Sequence, residues 1–499
     1  MRRPNLIFIL TDQQRWDTIG GWGYSHMFTP AVDSLVEGGL SFTNAHCPGA
    51  TCVASRAAIF TGMYAHNTGA YAFKNWGHQP NWVEDLARVG YHCANIGKMH
   101  FIPRDVPGGF HERVVVENPT NRAAENGQPD DDWGKFLAAN GLKRPNGRHR
   151  TDPQWKAKFQ GVPWEWDERF HSDAFVGDSA ANWIRRRPVS DQPFFLEVGF
   201  PGPHEPWDPP QSWVDRYADC VLPVPVDFPC TLEGRPPHHR ATREHHAKTD
   251  HESRIAMPEA ELEDVMRMRR HYYAKISFVD HQVGKVLSAL EQAGHLENSI
   301  VVFASDHGEM LGDHGSAYKW LMFESVTRVP LVVRDFRMPT AGIRTDDLVS
   351  LIDLGPTFLD LAGIPVPTRL EGRSLRPYLT GEGIEPREAV FCEDNYLVMM
   401  RKSVDKIVHT IGASYGEYYR LDEDPGECCN LWDNPEWVER RKALQIELLD
   451  WLASSAYHNG GFKTGESVQG GGDYPIRWHA DGDARLHGAN FRPKGHRFH

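Results

Sequence analysis

Several short segments, far apart in a chain of 499 residues, carry the residue types needed to cleave an anionic ester. Asp12-Gln13 and Asp306-His307 offer two carboxylates, an amide carbonyl and an imidazole. That is a mainly oxygen ligand set with one nitrogen, suited to a hard or borderline divalent cation. Each pair also has a plainer reading, Asp12-Gln13 as a helix cap and Ser305-Asp306-His307-Gly308-Glu309 as a structural turn. Cys52-Val53-Ala54-Ser55-Arg56 places a thiol just ahead of a stretch, Ser55 to Phe60, that suits a helix start. A helix N-terminus presents unpaired N–H groups and partial positive charge, which favours a tetrahedral oxyanion, and Arg56 adds a cation about one turn in. Lys98 and His100 stand two apart, so on an extended segment they project to one side. His204 on a proline-stiffened loop, Lys319 beside Trp320, and the loop amide of Asn75 are further candidates for substrate contact.

These residues need a frame that brings them together. Short apolar runs at Leu6 to Leu10, Phe194 to Val198, Ser299 to Ala304 and Pro330 to Val333 read as buried strands. Helical patterns lie between them, at Thr29 to Gly38, Trp82 to Val89, Asp173 to Arg187 and Pro258 to Ala293. Strands alternating with helices imply an α/β sheet covered on both faces, with catalytic groups just past the carboxyl ends of strands. Asp12 and Asp306 both follow such strands, so they could meet. After Leu375 the texture changes to short strands (Ala389 to Cys392, Tyr396 to Arg401, Asp405 to Thr410, Glu417 to Arg420) and one helix, Pro435 to Ser454. The expected organisation is a large unit over 1–375, a smaller α+β unit over 376–455, and a tail over 456–499. The Gly-, His- and Arg-rich tail is either disordered or an arm packed on a second subunit. Polar, Pro-rich stretches at Asn118 to Pro163 and Pro223 to Ser253 read as surface excursions that form lids or pocket walls. Trp133, Trp155, Trp164, Trp166, Trp207 and Trp213 lie in or near them and could line an aromatic pocket.

Composition narrows the function classes. Apolar content of 40% and charged content of 24% describe an ordinary soluble globular protein. A formal net charge of -13 argues against a nucleic-acid partner, so an anionic substrate must be drawn in by a local basic cluster. Arg2-Arg3 precede an apolar run of five residues, short of the roughly 7–15 of a secretory signal, and the expected location is cytoplasmic. The eight dilute cysteines show no zinc-like spacing and are expected to be reduced.

Cys52-Val53-Ala54-Ser55-Arg56, closed by Thr61-Gly62, resembles the first signature of the sulfatase family, C-x-P-x-R or C-x-A-x-R ending in Thr-Gly. The segment from Gly90 to His100 resembles the second, G-Y-x-S/T-x-x-x-G-K-x-H. Val53, Ala54 and Cys93 depart from the commonest residues at their positions. The resemblance spans roughly residues 4 to 450. It implies an alkaline-phosphatase-like fold: a large, mixed, mostly parallel sheet flanked by helices, with a smaller C-terminal antiparallel sheet and helix. It also implies sulfate-ester hydrolysis by a formylglycine, made from Cys52 by a formylglycine-generating enzyme, whose hydrated aldehyde supplies the attacking hydroxyl. Asp12, Gln13, Cys52, Asp306 and His307 match the metal positions. Within the resemblance Arg56 and the metal position the diol, Asp306 takes its proton, and Lys98 binds sulfate oxygens. His100 hydrogen-bonds the diol, while His204 and Lys319 contact the sulfate and leaving group. Gln13 and His307 are similar to residues of phosphonate monoester hydrolases, so calcium and manganese both suit the site, and a phosphonate or phosphate ester remains an alternative substrate. A silent fold with an unoxidised Cys52, serving only as a binding module, is a third reading. A homo-oligomer, dimer or tetramer, is expected.

Overall fold

The strand Asn5–Asp12 (β1) is buried along its whole length, and alternation sends its side chains into two separate cores. Leu6, Phe8 and Leu10 join one and Ile7 and Ile9 the other, so helices are needed on both faces. The computed structural model describes residues 2–71, 75–118, 130–145, 161–249, 255–338 and 342–458, with a few positions between 153 and 159. Around β1 lie Leu40–Phe42 (β2), His92–Gly97 (β3), Glu112–Val115 (β4), Phe194–Pro203 (β5), Ser299–Ser305 (β6), Leu331–Asp335 (β7) and Ile343–Thr345 (β8). Their spatial order is β8-β2-β7-β6-β1-β5-β3-β4, parallel at every pairing except those of β7. This is the mixed, mostly parallel α/β sheet expected from the sequence. Pro330 to Val333 is a strand as anticipated, but it runs antiparallel.

The helices Pro30–Gly38 (α1), Cys52–Thr61 (α2), Trp82–Arg88 (α3), Ser172–Arg186 (α4), Pro237–Lys248 (α5), Leu262–Gln292 (α6) and Val438–His458 (α7) follow the expected patterns at α1, α3, α4, α6 and α7. The α2 residues Ala57, Ile59 and Phe60 pack on one sheet face, while Val176 and Ala180 of α4 with Val279 and Val283 of α6 pack on the other. The α5 helix differs from expectation: Pro237 to Lys248 looked like part of a polar surface excursion, yet it folds as a helix with His238, His239 and His246 buried. Beyond the large sheet, Val390–Asp394 (β9), Leu397–Arg401 (β10), Asp405–Thr410 (β11) and Gly416–Arg420 (β12) form a four-stranded antiparallel sheet in sequential order. Its Met400, Ile407 and Tyr418 pack with Leu444 and Leu448 of α7.

All eight cysteines are free thiols. Among the described residues, no helix is long and apolar enough to cross a membrane. The tail beyond His458 and much of the first excursion lie outside the described residues.

One close backbone approach places a key segment. At the end of β3, Gly97 has φ +117°, and a Cβ there would stand 1.9 Å from the carbonyl oxygen of Gly199 on β5. Only glycine allows the strand to turn there and deliver Lys98 to the strand ends. Gly97→Ala is expected to destabilise the protein by about 3 kcal/mol or more, read as a lowered unfolding midpoint.

Candidate active site

The carboxyl ends of β1, β6, β3 and β5 converge on one edge of the sheet. Register sets the first pair: Thr11 lies beside Ser305, and Asp306 N–H donates to the Thr11 carbonyl at 3.1 Å, so Asp12 and Asp306 are neighbours. Asp306 Oδ1 accepts from the backbone N–H groups of Gln13 (3.0 Å) and His307 (2.8 Å). Arg56, wholly buried on α2, fastens the strand ends together. Its Nε donates to Asp306 Oδ2 at 2.7 Å, its Nη1 to the Lys98 carbonyl at 2.6 Å, and its Nη2 reaches Asp12 Oδ2 at 3.4 Å. Ser55, one residue earlier, donates to the Asp306 carbonyl at 2.5 Å. Arg56 therefore orients other groups, a role its place in the motif alone could not distinguish from direct substrate contact.

Cys52 is the first residue of α2, inside its opening turn instead of just ahead of it, and is 5% exposed. Burial alone would raise its thiol pKa. Lys319 and Lys98, with hydrogen bonds from His100 and His204, instead hold it well below the ordinary range. The position thus favours negative charge, as an oxyanion or a nucleophile requires. Lys98 Nζ is completely buried, 2.5 Å from Asp12 Oδ2 and 2.5 Å from Asn118 Oδ1. His100 reaches the sulfur by a route other than simple strand alternation. Strand β3 ends at Gly97, and His100 takes φ +62°, anchored by its N–H on Glu117 Oε1 and by its carbonyl on Trp76 Nε1.

The residues present fit a divalent cation. Ligand atoms of Asp12, Cys52, Asp306 and His307 all lie within 4.8 Å of one another. Two of them, Asp12 Oδ1 and His307 Nε2, are buried without a hydrogen-bond partner, 4.0 Å apart. His307 Nδ1 donates to the Gly308 carbonyl at 2.8 Å, which leaves Nε2 as the lone-pair nitrogen facing the cluster. Burial works against a charged His307, yet Asp306 and the Cys52 sulfur raise it to about 9. The cluster calls for positive charge, which an ion supplies better than a proton. Burial and the Cys52 sulfur would raise Asp12, but Lys98, His204 and Arg56 hold it well below the usual carboxylate range. Burial and the adjacent Asp12 push Asp306 up.

A second group faces the same sulfur. Lys319 Nζ lies 2.6 Å from Gln13 Oε1 and 2.7 Å from His204 Nε2. Gln13, read from the sequence as a ligand through its carbonyl oxygen, thus also spends that oxygen on Lys319. Its Nε2 donates to Glu205 Oε2 at 2.9 Å and to Glu309 Oε2. Burial disfavours a charged His204, but Glu205 and Asp12 raise it to about 10. Lys275 of α6 fixes that loop by donating to the carbonyls of His204 (3.0 Å) and Pro206 (2.8 Å) and to Asp208 Oδ1 (3.0 Å).

The sequence candidates Asp12, Gln13, Cys52, Arg56, Lys98, His100, His204, Asp306, His307 and Lys319 thus meet at one place. Asn75 stands exposed, and the described contacts do not join its side chain to the centre. Asn118 occupies that role instead: its Oδ1 accepts from Lys98, and its Nδ2 lies 3.4 Å from His204 Nε2. The signal available for it was an Asn-Pro step closing the strand-like run Glu112 to Glu117. Glu205 and Glu309, also missed as site residues, sat beside residues already singled out. Of the tryptophans expected to line a pocket, Trp133, Trp207 and Trp213 are packed into the cores, and Trp164 and Trp166 are half-buried against one of them.

The family model described as Sulfatase matches residues 4–364. The chain belongs to the sulfatase family. Sulfatases hydrolyse sulfate esters, and this member brings a buried group of possible metal ligands, Asp12, Cys52, Asp306 and His307, together at its strand ends. A second model, N-sulphoglucosamine sulphohydrolase, C-terminal, matches residues 312–453. An arylsulfatase of Clostridium perfringens is 30% identical over 89% of this chain and 94% of its own. An N-acetylglucosamine-6-O-sulfatase of Bacteroides thetaiotaomicron is 26% identical over 90% and 86%. Among solved structures, the phosphonate monoester hydrolase of Agrobacterium radiobacter superposes with a TM-score of 0.78 at 24% identity, covering 91% of this chain and 96% of that one, a likeness of fold.

Proposed function

We propose that this sulfatase cleaves a sulfate monoester at the centre built around Cys52, after a formylglycine-generating enzyme has oxidised that residue. The observation that carries the proposal is the convergence of two lysines and two histidines on the Cys52 sulfur, beside two buried, unpartnered ligand atoms. Calcium or manganese, held by Asp12, Asp306 and His307 with Gln13 and the modified Cys52 at its edge, would supply a Lewis acid for sulfate oxygens. Hydrated formylglycine would supply a nucleophilic hydroxyl and, through its second hydroxyl, a route to release sulfate without water attacking sulfur.

The chain's own residues divide the remaining work. Lys98 and Lys319 neutralise charge on the sulfate oxygens, and burial makes each worth more than in water. Arg56 holds Asp12 and Asp306 in register. Asp306 and His100 stand where a proton can be taken from the group at position 52. His204, backed by Glu205, shares a proton with Lys319 across the 2.7 Å between Nε2 and Nζ, and the pair can pass it to the departing oxygen. Because its pKa is raised to about 10, the donor form is present below that pH and lost above it. The rate is expected to fall as pH rises through about 10, and His204→Gln is expected to lower kcat and flatten that limb of the pH profile.

The direct test compares kcat/KM on an aryl sulfate and an aryl phosphonate monoester. The sulfate is expected to win. A preference for the phosphonate by orders of magnitude would overturn the proposal in favour of the second reading. That reading is favoured by one feature, the presence of Gln13 and His307 where further carboxylates would stand, beside only two ligand carboxylates.

A further inference from the structure

A cavity of about 1060 Å³ lies between α5, Trp320 and the two turns of the small sheet, Asp394 to Leu397 and Thr410 to Tyr415. It abuts the catalytic centre. Trp320 follows Lys319, and its N–H donates to the Ala50 carbonyl at 3.3 Å, two residues before Cys52. On the opposite wall, the end of β9 is bridged to Gly49, and Glu393 N–H donates to the Pro48 carbonyl at 3.1 Å. The small sheet is therefore pinned to the loop that precedes the nucleophile position.

At that junction sits Asp394, 2% exposed and lining the cavity. Its Oδ1 accepts from Asn395 Nδ2 at 3.0 Å, while Oδ2 is buried without any hydrogen-bond partner. Burial pushes the carboxyl far above its usual range, and the charges of His307 and Lys319, both close enough to be felt, do not offset it. A buried oxygen left unpaired is costly, so it calls for a partner, which a ligand entering the cavity would supply. The catalytic steps assigned above make no use of it.

We infer that this cavity is the leaving-group subsite and that Asp394 Oδ2 shares a hydrogen bond with a hydroxyl, which can both donate and accept, of a polyhydroxylated, sugar-like leaving group. The inference rests on the sulfatase reading and names its substrate class. The remaining lining agrees: Thr410, Ser414 and Glu244 offer hydrogen bonds, and Trp320 and Tyr415 offer ring faces on which the apolar side of a sugar can stack. A plain aryl group has no hydroxyl to pair with Asp394 and would leave it unpaired, a type of mismatch that supports strong discrimination.

The test measures kcat/KM on 4-nitrophenyl sulfate and on a set of hexose and hexosamine monosulfates, using protein in which Cys52 is confirmed as formylglycine. At least one sugar sulfate is expected to exceed the aryl sulfate by tenfold or more. Asp394→Ala is expected to lower that sugar-to-aryl ratio about 30-fold, while Asp394→Asn, whose amide like a neutral carboxyl both donates and accepts, retains most of it. An aryl sulfate preferred over every sugar sulfate, or a ratio unchanged in Asp394→Ala, would overturn the inference and leave the sulfatase reading intact. Turnover of phosphonate monoesters alone would overturn both.

Discussion

Cys52→Ala is expected to lower kcat/KM on an aryl sulfate by about 10⁵-fold or more, the scale on which loss of a catalytic nucleophile is felt. The small residue fits the first turn of α2, and the fold should survive, so an unchanged unfolding midpoint accompanies the loss. Cys52→Ser sharpens the point. It restores a hydroxyl at the same place, yet a single hydroxyl cannot re-form an aldehyde to expel sulfate, so multiple turnover stays absent. Steady-state rates of both variants beside the parent protein check this. Turnover by Cys52→Ser within tenfold of the parent would show that a simple hydroxyl suffices and that no formylglycine is needed.

Lys98→Ala is expected to have the second largest effect, because two costs add. Removing a preorganised cation from the sulfate oxygens costs about 10²–10³-fold in kcat. The same change strips Asp12 Oδ2 and Asn118 Oδ1 of their shared ammonium in a fully buried place. Deleting one partner of a buried ion pair costs about 3–5 kcal/mol, so the unfolding midpoint should drop as well. Lys319→Ala separates the two costs. Lys319 contacts the Gln13 amide and the His204 ring, neither of them an anion, so its loss should lower kcat on a similar scale with a smaller loss of stability. Equal stability losses for the two variants would contradict the distinct roles assigned to these lysines.

How much of this was legible depended on how local each signal is. The central strands β1 and β6 read directly from apolar runs, and β5 from a run broken only by Glu197, because strands buried on both faces need no polar alternation. Strand β3, His-Cys-Ala-Asn-Ile-Gly, is equally buried but polar in texture, since Asn95 pairs with Glu197 inside the sheet at 2.5 Å. Helix α5 escaped because its histidines and arginines look like solvated surface until the small sheet and Trp320 are folded against them. At the site, Cys52-to-Arg56, Lys98-to-His100 and Asp306-His307 were visible because their residues are compact in sequence. Asn118 and Asp394 were not, because each is brought to the centre by a distant partner: Lys98 for one, and the loop before Cys52 for the other. Gln13 shows a subtler limit. Its place next to Asp12 was legible, but the competition of Lys319 for its carbonyl oxygen depends on the course of a loop some 300 residues away.

The central claim is that Cys52 is the precursor of the nucleophile in a sulfatase centre. It is tested most directly by the mass of the peptide spanning Cys52, taken from full-length protein produced together with a formylglycine-generating enzyme and assayed in the same preparation. The account predicts formylglycine at that position, in a fraction that rises in step with sulfatase activity across preparations. Full activity from protein whose peptide still carries an intact Cys52 thiol would contradict it.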